Sequence, residues 1–263
     1  MKHQVLLIVT LLFGINALAQ DKFMLDTPKQ PRFELTDKVW PTAIGEASVC
    51  LWNDDKLSAF TITIDDNNEQ DIPYWIQLQE KYGFKYTWFV IAEAGKKQNV
   101  KNWNLFNDLS DAGNAIQGHD VRNWYADKEK RIKYPSLRRY NKMLKRTKAS
   151  IEKHIPNQKC LTYAYPWGEG NVDEVAKHFI ASRGVIGVLN PANQIDFKQV
   201  RSISNPHIYV NDSTRNRYIL PLLDETTKLE GINYYRGWGS THFHHITSPE
   251  AQKTTDDFLN YLK

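Results

Sequence analysis

The run Thr61-Ile62-Thr63-Ile64 ends abruptly in two adjacent carboxylates, Asp65 and Asp66. Phe60, Ile62 and Ile64 alternate with threonines, which is how a buried strand reads. Such a strand delivers both acids to its C-terminal mouth, where α/β folds build their active sites. Successive strand residues point to opposite faces, so the two acids are expected to do different work. One suits a metal ion and the other a proton. The alternative is a solvated turn, for which Asp65-Asp66-Asn67-Asn68 has good chemistry.

The rest of the chain alternates strands and helices. Strand patterns cover Leu57–Ile64, Tyr86–Ile91, Ala115–Gln117, Leu161–Tyr165, Gly184–Leu189 and Trp238–Ile246, with a short strand or turn within Asp196–Ser204. Helical patterns cover Ile72–Tyr82, stopped by Gly83, and Trp103–Ala112, stopped by Gly113. Further helices are expected over Ser136–His154, Asp173–Ser182 and Ser248–Leu262, the last with Ser248-Pro249-Glu250 as cap, first turn and favourable dipole charge. Strands alternating with helices predict a parallel sheet or barrel.

The first residues read as a targeting segment. Lys2 and His3 precede an apolar run from Val5 to Phe13, and Ala17-Leu18-Ala19 supplies a small-x-small cleavage pattern before Gln20. Residues 1–19 are therefore expected to be a signal peptide, too short to be a comfortable membrane span. The expectation is an exported protein, periplasmic or secreted, with no stable membrane insertion. Residues 20–56 form a polar, proline-containing lead-in, and residues 57–263 a single α/β domain. The net charge of +4 is modest and mixed along the chain, which gives no reason to expect nucleic-acid binding. Two cysteines, Cys50 and Cys160, allow one disulfide or two free thiols, and make a cysteine-based metal site improbable.

Three further segments carry residues with chemical capacity. Gly118-His119-Asp120 follows a short strand, and His119 and Asn123 are spaced to share one helical face. A histidine near a carboxylate is an ordinary ligand set for a divalent metal. Tyr163-Ala164-Tyr165-Pro166-Trp167-Gly168 is a strand ending in an aromatic turn, whose rings can stack on sugars and exclude water. Thr241-His242-Phe243-His244-His245 packs three histidines into four residues. On a strand His242 and His244 share a face and His245 points the other way.

In this order the pieces resemble the NodB-type polysaccharide deacetylases, carbohydrate esterase family 4. The resemblance covers most of residues 57–263 and rests on Thr63-Ile64-Asp65-Asp66, Ile72-Pro73, Tyr82–Val90, Leu109–His119, Tyr163–Gly168 and Phe243–Ile246. It implies a distorted (β/α) barrel, a divalent metal and hydrolysis of N- or O-acetyl groups on a glycan. The metal implied is zinc first, with cobalt, nickel or manganese as alternatives. Asp65 would be the general base and His244 the general acid. Asp66, His119 and Asn123 would hold the metal, while Tyr165, Pro166 and Trp167 would line the substrate site. The backbone near Tyr165 and Trp167 would stabilise an oxyanion.

Two positions depart from the family pattern. Asn123 stands where the family has a second histidine ligand, and an amide oxygen matches zinc less well than imidazole; His207 is one residue that could supplement it. Ala164 stands where the family has the arginine that orients the base, and Arg183 and Arg201 are both open as substitutes. These departures set a second reading beside the enzyme: a glycan-binding protein on a deacetylase scaffold.

Overall fold

The computed structural model describes residues 52–53, 56–92, 99–119, 136–168, 170–186, 189–192, 195–204 and 236–263. The expected signal peptide, most of the lead-in, Cys50, Asn123 and His207 lie outside the described residues. Cys160 is a buried free cysteine.

The alternating run before Asp65 forms the strand β1, Ala59–Asp65, and its last four residues are buried. It pairs in parallel with β2 (Thr87–Val90) on one side and β8 (Trp238–Phe243) on the other. Outward from β2 come β3 (Ala115–His119), β4 (Thr162–Ala164) and β5 (Ala181–Arg183), all parallel. On the far side, β6 (Leu189–Asn190) runs antiparallel to β8, and β7 (Ile203–Ser204) runs parallel to it. The segment leading into β7 also reaches the opposite edge, where Val200 bridges in parallel to Arg183. One stretch therefore touches both edges, and the sheet curls into the expected distorted barrel.

Helices cover the outside. The helix α1, Ile72–Tyr82, carries Pro73 in its first turn and ends at Gly83 in the left-handed region, φ 77°. Its buried face is Ile72, Trp75, Leu78 and Tyr82, near the helical period. Next come α2 (Trp103–Asp111), α3 (Leu137–His154) and the short α4 (Val172–Val175). The closing helix α5, Pro249–Leu262, is capped as its sequence implies, the Ser248 hydroxyl accepting from Ala251 N at 3.1 Å. Among the described residues no helix is long and apolar enough to cross a membrane.

One region departs from expectation. The sequence predicts a helix over 173–182 and a strand over 184–189. Instead the helix stops at Val175, and the strand that joins the sheet is Ala181–Arg183. The register Thr162↔Ala181, Tyr163↔Ser182, Ala164↔Arg183 shows why: β4 is extended with these residues. Of the residues expected in that strand, Leu189 joins the sheet in β6, while Val185 and Ile186 stay outside it. Ile186 is 71% exposed, and Val185 is spent on the mouth of a cavity. A smaller difference matters for the site. His119 is the last residue of β3 rather than part of a helix.

Trp75 anchors the layer between α1 and the sheet. Fully buried, it meets Tyr86, Trp88 and Phe243 edge-on at centroid distances of 4.9, 6.5 and 5.1 Å. Among the described residues its indole Nε1 has no hydrogen-bond partner. Trp75→Ala should therefore cost about 3–5 kcal/mol in denaturant unfolding. Trp75→Phe should cost clearly less, because it keeps the ring contacts and removes a buried donor that nothing satisfies.

Candidate active site

Because β1 to β5, β7 and β8 are mutually parallel, their C-terminal ends open on one face of the barrel. Asp65, His119 and Arg183 are the last residues of β1, β3 and β5, while His244 follows β8 directly. A cavity of about 510 Å³ at this mouth is lined by Asp65, Asp66, His119, Tyr165, Pro166, Trp167 and His244. Seven of the eight residues expected at the site thus converge; the eighth, Asn123, lies outside the described residues. Ile91, Val185, Ser204 and His242 complete the wall.

The two acids are separated by the backbone. Asp65 ends the strand and is 2% exposed, whereas Asp66 turns into the left-handed region with φ 69°, followed by Asn67 at φ 43°. Asp and Asn tolerate that region better than other side chains, because they bond locally. Here Asn67 Nδ2 donates to Ile91 O at 2.9 Å, its Oδ1 accepts from Ile91 N at 2.7 Å, and Asn68 Nδ2 donates to Asp65 O at 2.8 Å. The turn chemistry and the placement of the acids are one device.

Asp65 lies against Arg183. The guanidinium Nη2 donates to both carboxylate oxygens, at 2.6 and 2.5 Å, and the ring of Phe89 lies 5.3 Å beneath the guanidinium carbon. Both charges are almost fully buried. Burial alone would raise the Asp65 carboxyl. Arg183, helped by His119, His242 and His244, outweighs it and holds the group at about 2. Arg183 is thus the substitute for the arginine that Ala164 displaces. It sits one strand over, at the register position facing Ala164. Arg201, the other residue left open, has no such contact with Asp65.

Asp66 meets two histidines. His119 Nε2 lies 3.3 Å from its Oδ1, and His244 Nε2 lies 3.9 Å from its Oδ2. His119 Nδ1 lies 3.0 Å from Ala164 O, and only an N–H can satisfy a carbonyl, so Nδ1 carries the proton. This fixes Nε2 as the atom facing Asp66. Burial would lower the His119 pKa, but Asp65 and Asp66 raise it; His119 in turn draws the Asp66 carboxyl down, against burial and the charge of Asp65. A backbone-anchored imidazole beside an exposed carboxylate is a fitting pair of donors for a divalent transition metal. Among the described residues no group of three His, Cys, Asp or Glu side chains completes an ion site.

The aromatic turn divides its labour. Tyr165 is buried wall: its hydroxyl donates to Lys198 O at 3.0 Å, and its amide donates to Arg183 O at 2.9 Å. That amide is spent on the sheet. Trp167 is the rim, 57% exposed and held at φ 57°. A tryptophan in that region costs roughly 1–2 kcal/mol, a strain that persists only where surroundings enforce it.

Residues 53–179 match the polysaccharide deacetylase family model. A gellan lyase from a Bacillus species is 33% identical over 236 residues, which are 85% of this chain and 9% of that relative. Solved structures with similar folds include a CE4 family pseudoenzyme from Bacillus anthracis, with 18% identity, TM-score 0.45, and coverage of 78% of this chain and 60% of that one. Another is the peptidoglycan deacetylase PdaC from Bacillus subtilis, with 15% identity, TM-score 0.44, and coverage of 78% and 83%.

The arginine substitution is testable. Arg183→Ala should destabilise the fold by about 3–5 kcal/mol, since it strands a buried carboxylate. The same variant should raise the Asp65 pKa from about 2, read by carboxyl NMR titration. In the parent, the pair's contribution is full above the ordinary value of 3.8 and lost as pH falls through about 2. Adding Ala164→Arg to Arg183→Ala returns a guanidinium to the facing position and should recover part of both effects. An unchanged Asp65 titration in Arg183→Ala would show that something else holds this acid.

Proposed function

Since the chain belongs to the polysaccharide deacetylase family across residues 53–179, we propose that it is an exported, metal-dependent hydrolase that removes acetyl groups from a glycan. The observation that carries this reading is the meeting of Asp65, Asp66, His119 and His244 at one cavity, in four distinct environments. A neighbouring polysaccharide context is supported by the relative named for gellan, of which this chain spans 9%.

In this reading Asp65 takes a proton from the attacking water. Its two contacts with Arg183 fix its orientation and keep it ionised at any working pH. They also make it a weak base, so the water must itself be made acidic. Asp66, His119 and Asn123 are the residues that would hold a divalent metal, which would acidify that water and polarise the acetyl carbonyl. His244, half exposed beside Asp66, delivers a proton to the leaving oxygen or nitrogen. Trp167 offers its exposed ring at the rim to a sugar face, and the buried Tyr165 and Pro166 behind it exclude water.

A second reading, a glycan-binding protein without turnover, is favoured by two residues of the sequence: Asn123 stands where the resemblance expects a second histidine ligand, and Ala164 where it expects an arginine.

Acetate release from acetylated xylan and from chitin oligomers, with and without added zinc or cobalt, separates the two. The hydrolase releases acetate from at least one of them and depends on the ion. Asp65→Asn should lower kcat by at least about 100-fold with metal binding retained. His119→Ala should weaken zinc binding by more than about tenfold, measured by competition with a chelator. Glycan binding without release under any of these conditions would leave the binding protein as the correct reading.

A further inference from the structure

β8 brings a second histidine to the cavity, and the chemistry above does not use it. His242 sits opposite Thr63 on β1 and Ser204 on β7, two residues before His244 on the same face. Its ring lies edge-on to that of His244, with centroids 5.7 Å apart. It is 2% exposed, yet it lines the cavity beside Asp65 and His244. A leucine at this position would satisfy a strand packed inside a barrel; a histidine brings two polar nitrogens that must each be accounted for.

One nitrogen is accounted for by Ser202. Its hydroxyl lies 2.8 Å from His242 Nδ1, and Ser202 is 1% exposed. Among the described residues the two have no other side-chain hydrogen-bond partner. If Nδ1–H donated to the hydroxyl, the serine proton would be buried with nothing to receive it. The better arrangement has Ser202 donating to Nδ1, since an unfilled lone pair costs less than a stranded donor. His242 then carries its proton on Nε2, the ring edge left to face the cavity.

We propose that His242 is a substrate-contacting residue, whose Nε2–H donates to an acceptor oxygen, hydroxyl or acetyl carbonyl, of the acetylated sugar bound beside Asp65 and His244. The proposal rests on the glycan reading given above and deepens it. Burial, and then the nearby Arg183, hold the His242 pKa down at about 3, so the ring stays neutral near pH 7. The two histidines therefore do not compete. One holds an oxygen with a fixed N–H, and the other moves a proton.

The test measures binding apart from turnover. In an Asp65→Asn background, calorimetry with N-acetylglucosamine oligomers and with acetylated xylo-oligomers gives affinity directly. His242→Leu should weaken binding of one of them about tenfold, the loss expected for one buried hydrogen bond. His242→Gln, which returns an N–H near the same place, should recover most of that loss. With Asp65 intact, the same substitutions should raise KM more than they lower kcat. Equal affinity in His242→Leu and its parent overturns the proposal. So does weaker binding that His242→Gln does not rescue, because that is the signature of packing. If binding depends on His242 but no acetate is released, the hydrolase reading fails and this one stands. If acetate is released and His242→Leu matches the parent, only this one fails. If neither oligomer binds, this proposal falls with them.

Discussion

A buried carboxylate is unstable as an anion unless something compensates its lost hydration, and the barrel is arranged around that problem. β1 and β5 are separated in the sheet by β2, β3 and β4, so the Asp65–Arg183 contact spans the interior. Burial pushes the carboxyl one way and the guanidinium pulls it the other, and the guanidinium wins. The pair links opposite sides of a curled sheet. It also fixes the direction in which the Asp65 oxygens point. A buried pair is weak evidence for net stability, because replacing both charges by apolar groups often costs nothing. What it secures is one geometry. Asp65 cannot rotate, protonate or leave without exposing an unpaired charge.

Asp66 occupies the opposite regime one residue later. The reversal of φ after the strand end takes its side chain out of the interior, leaving it 41% exposed between His119 and His244. Identical functional groups at adjacent positions thus acquire different chemistry because the backbone direction brings each to different partners. The neighbouring asparagines belong to this arrangement, since their side chains tie the strained turn to Ile91 and to the end of β1. The histidines of β8 show the same division. His242 is sealed against Ser202, and His244 stands at the opening.

Much of this was legible in the sequence because it depends on local periodicity. The alternation before Asp65, the Gly83 and Gly113 helix stops, the Ser248 cap and the shared face of His242 and His244 are properties of a few consecutive residues. What was not legible depends on register between strands. Ala164 removes the arginine expected beside the base, and Arg183 replaces it only because the two face each other across β4 and β5. Sequence left Arg183 and Arg201 equal, for nothing in either's neighbours says which strand lies opposite. The Ser202 contact with His242 is invisible for the same reason. One signal was present: a charged residue between Ser182 and Gly184, ahead of an apolar run, is costly unless it has a buried partner.

That apolar run explains how the cavity rim is held. Val185 was expected inside a strand, because β-branched residues beside glycines read that way. In the fold it lies against Gly168, where a side chain's first carbon would come within 2.3 Å of a Val185 methyl. Gly168 is at φ 76°, and Trp167 before it is at φ 57°. Only a glycine lets the turn close this tightly over the valine. The closed turn is what keeps the tryptophan in an unfavourable conformation with its ring outward. The residues that leave the sheet after Arg183 thus do two connected things. They release the arginine at the strand end to reach Asp65, and they support the aromatic edge of the site built around it.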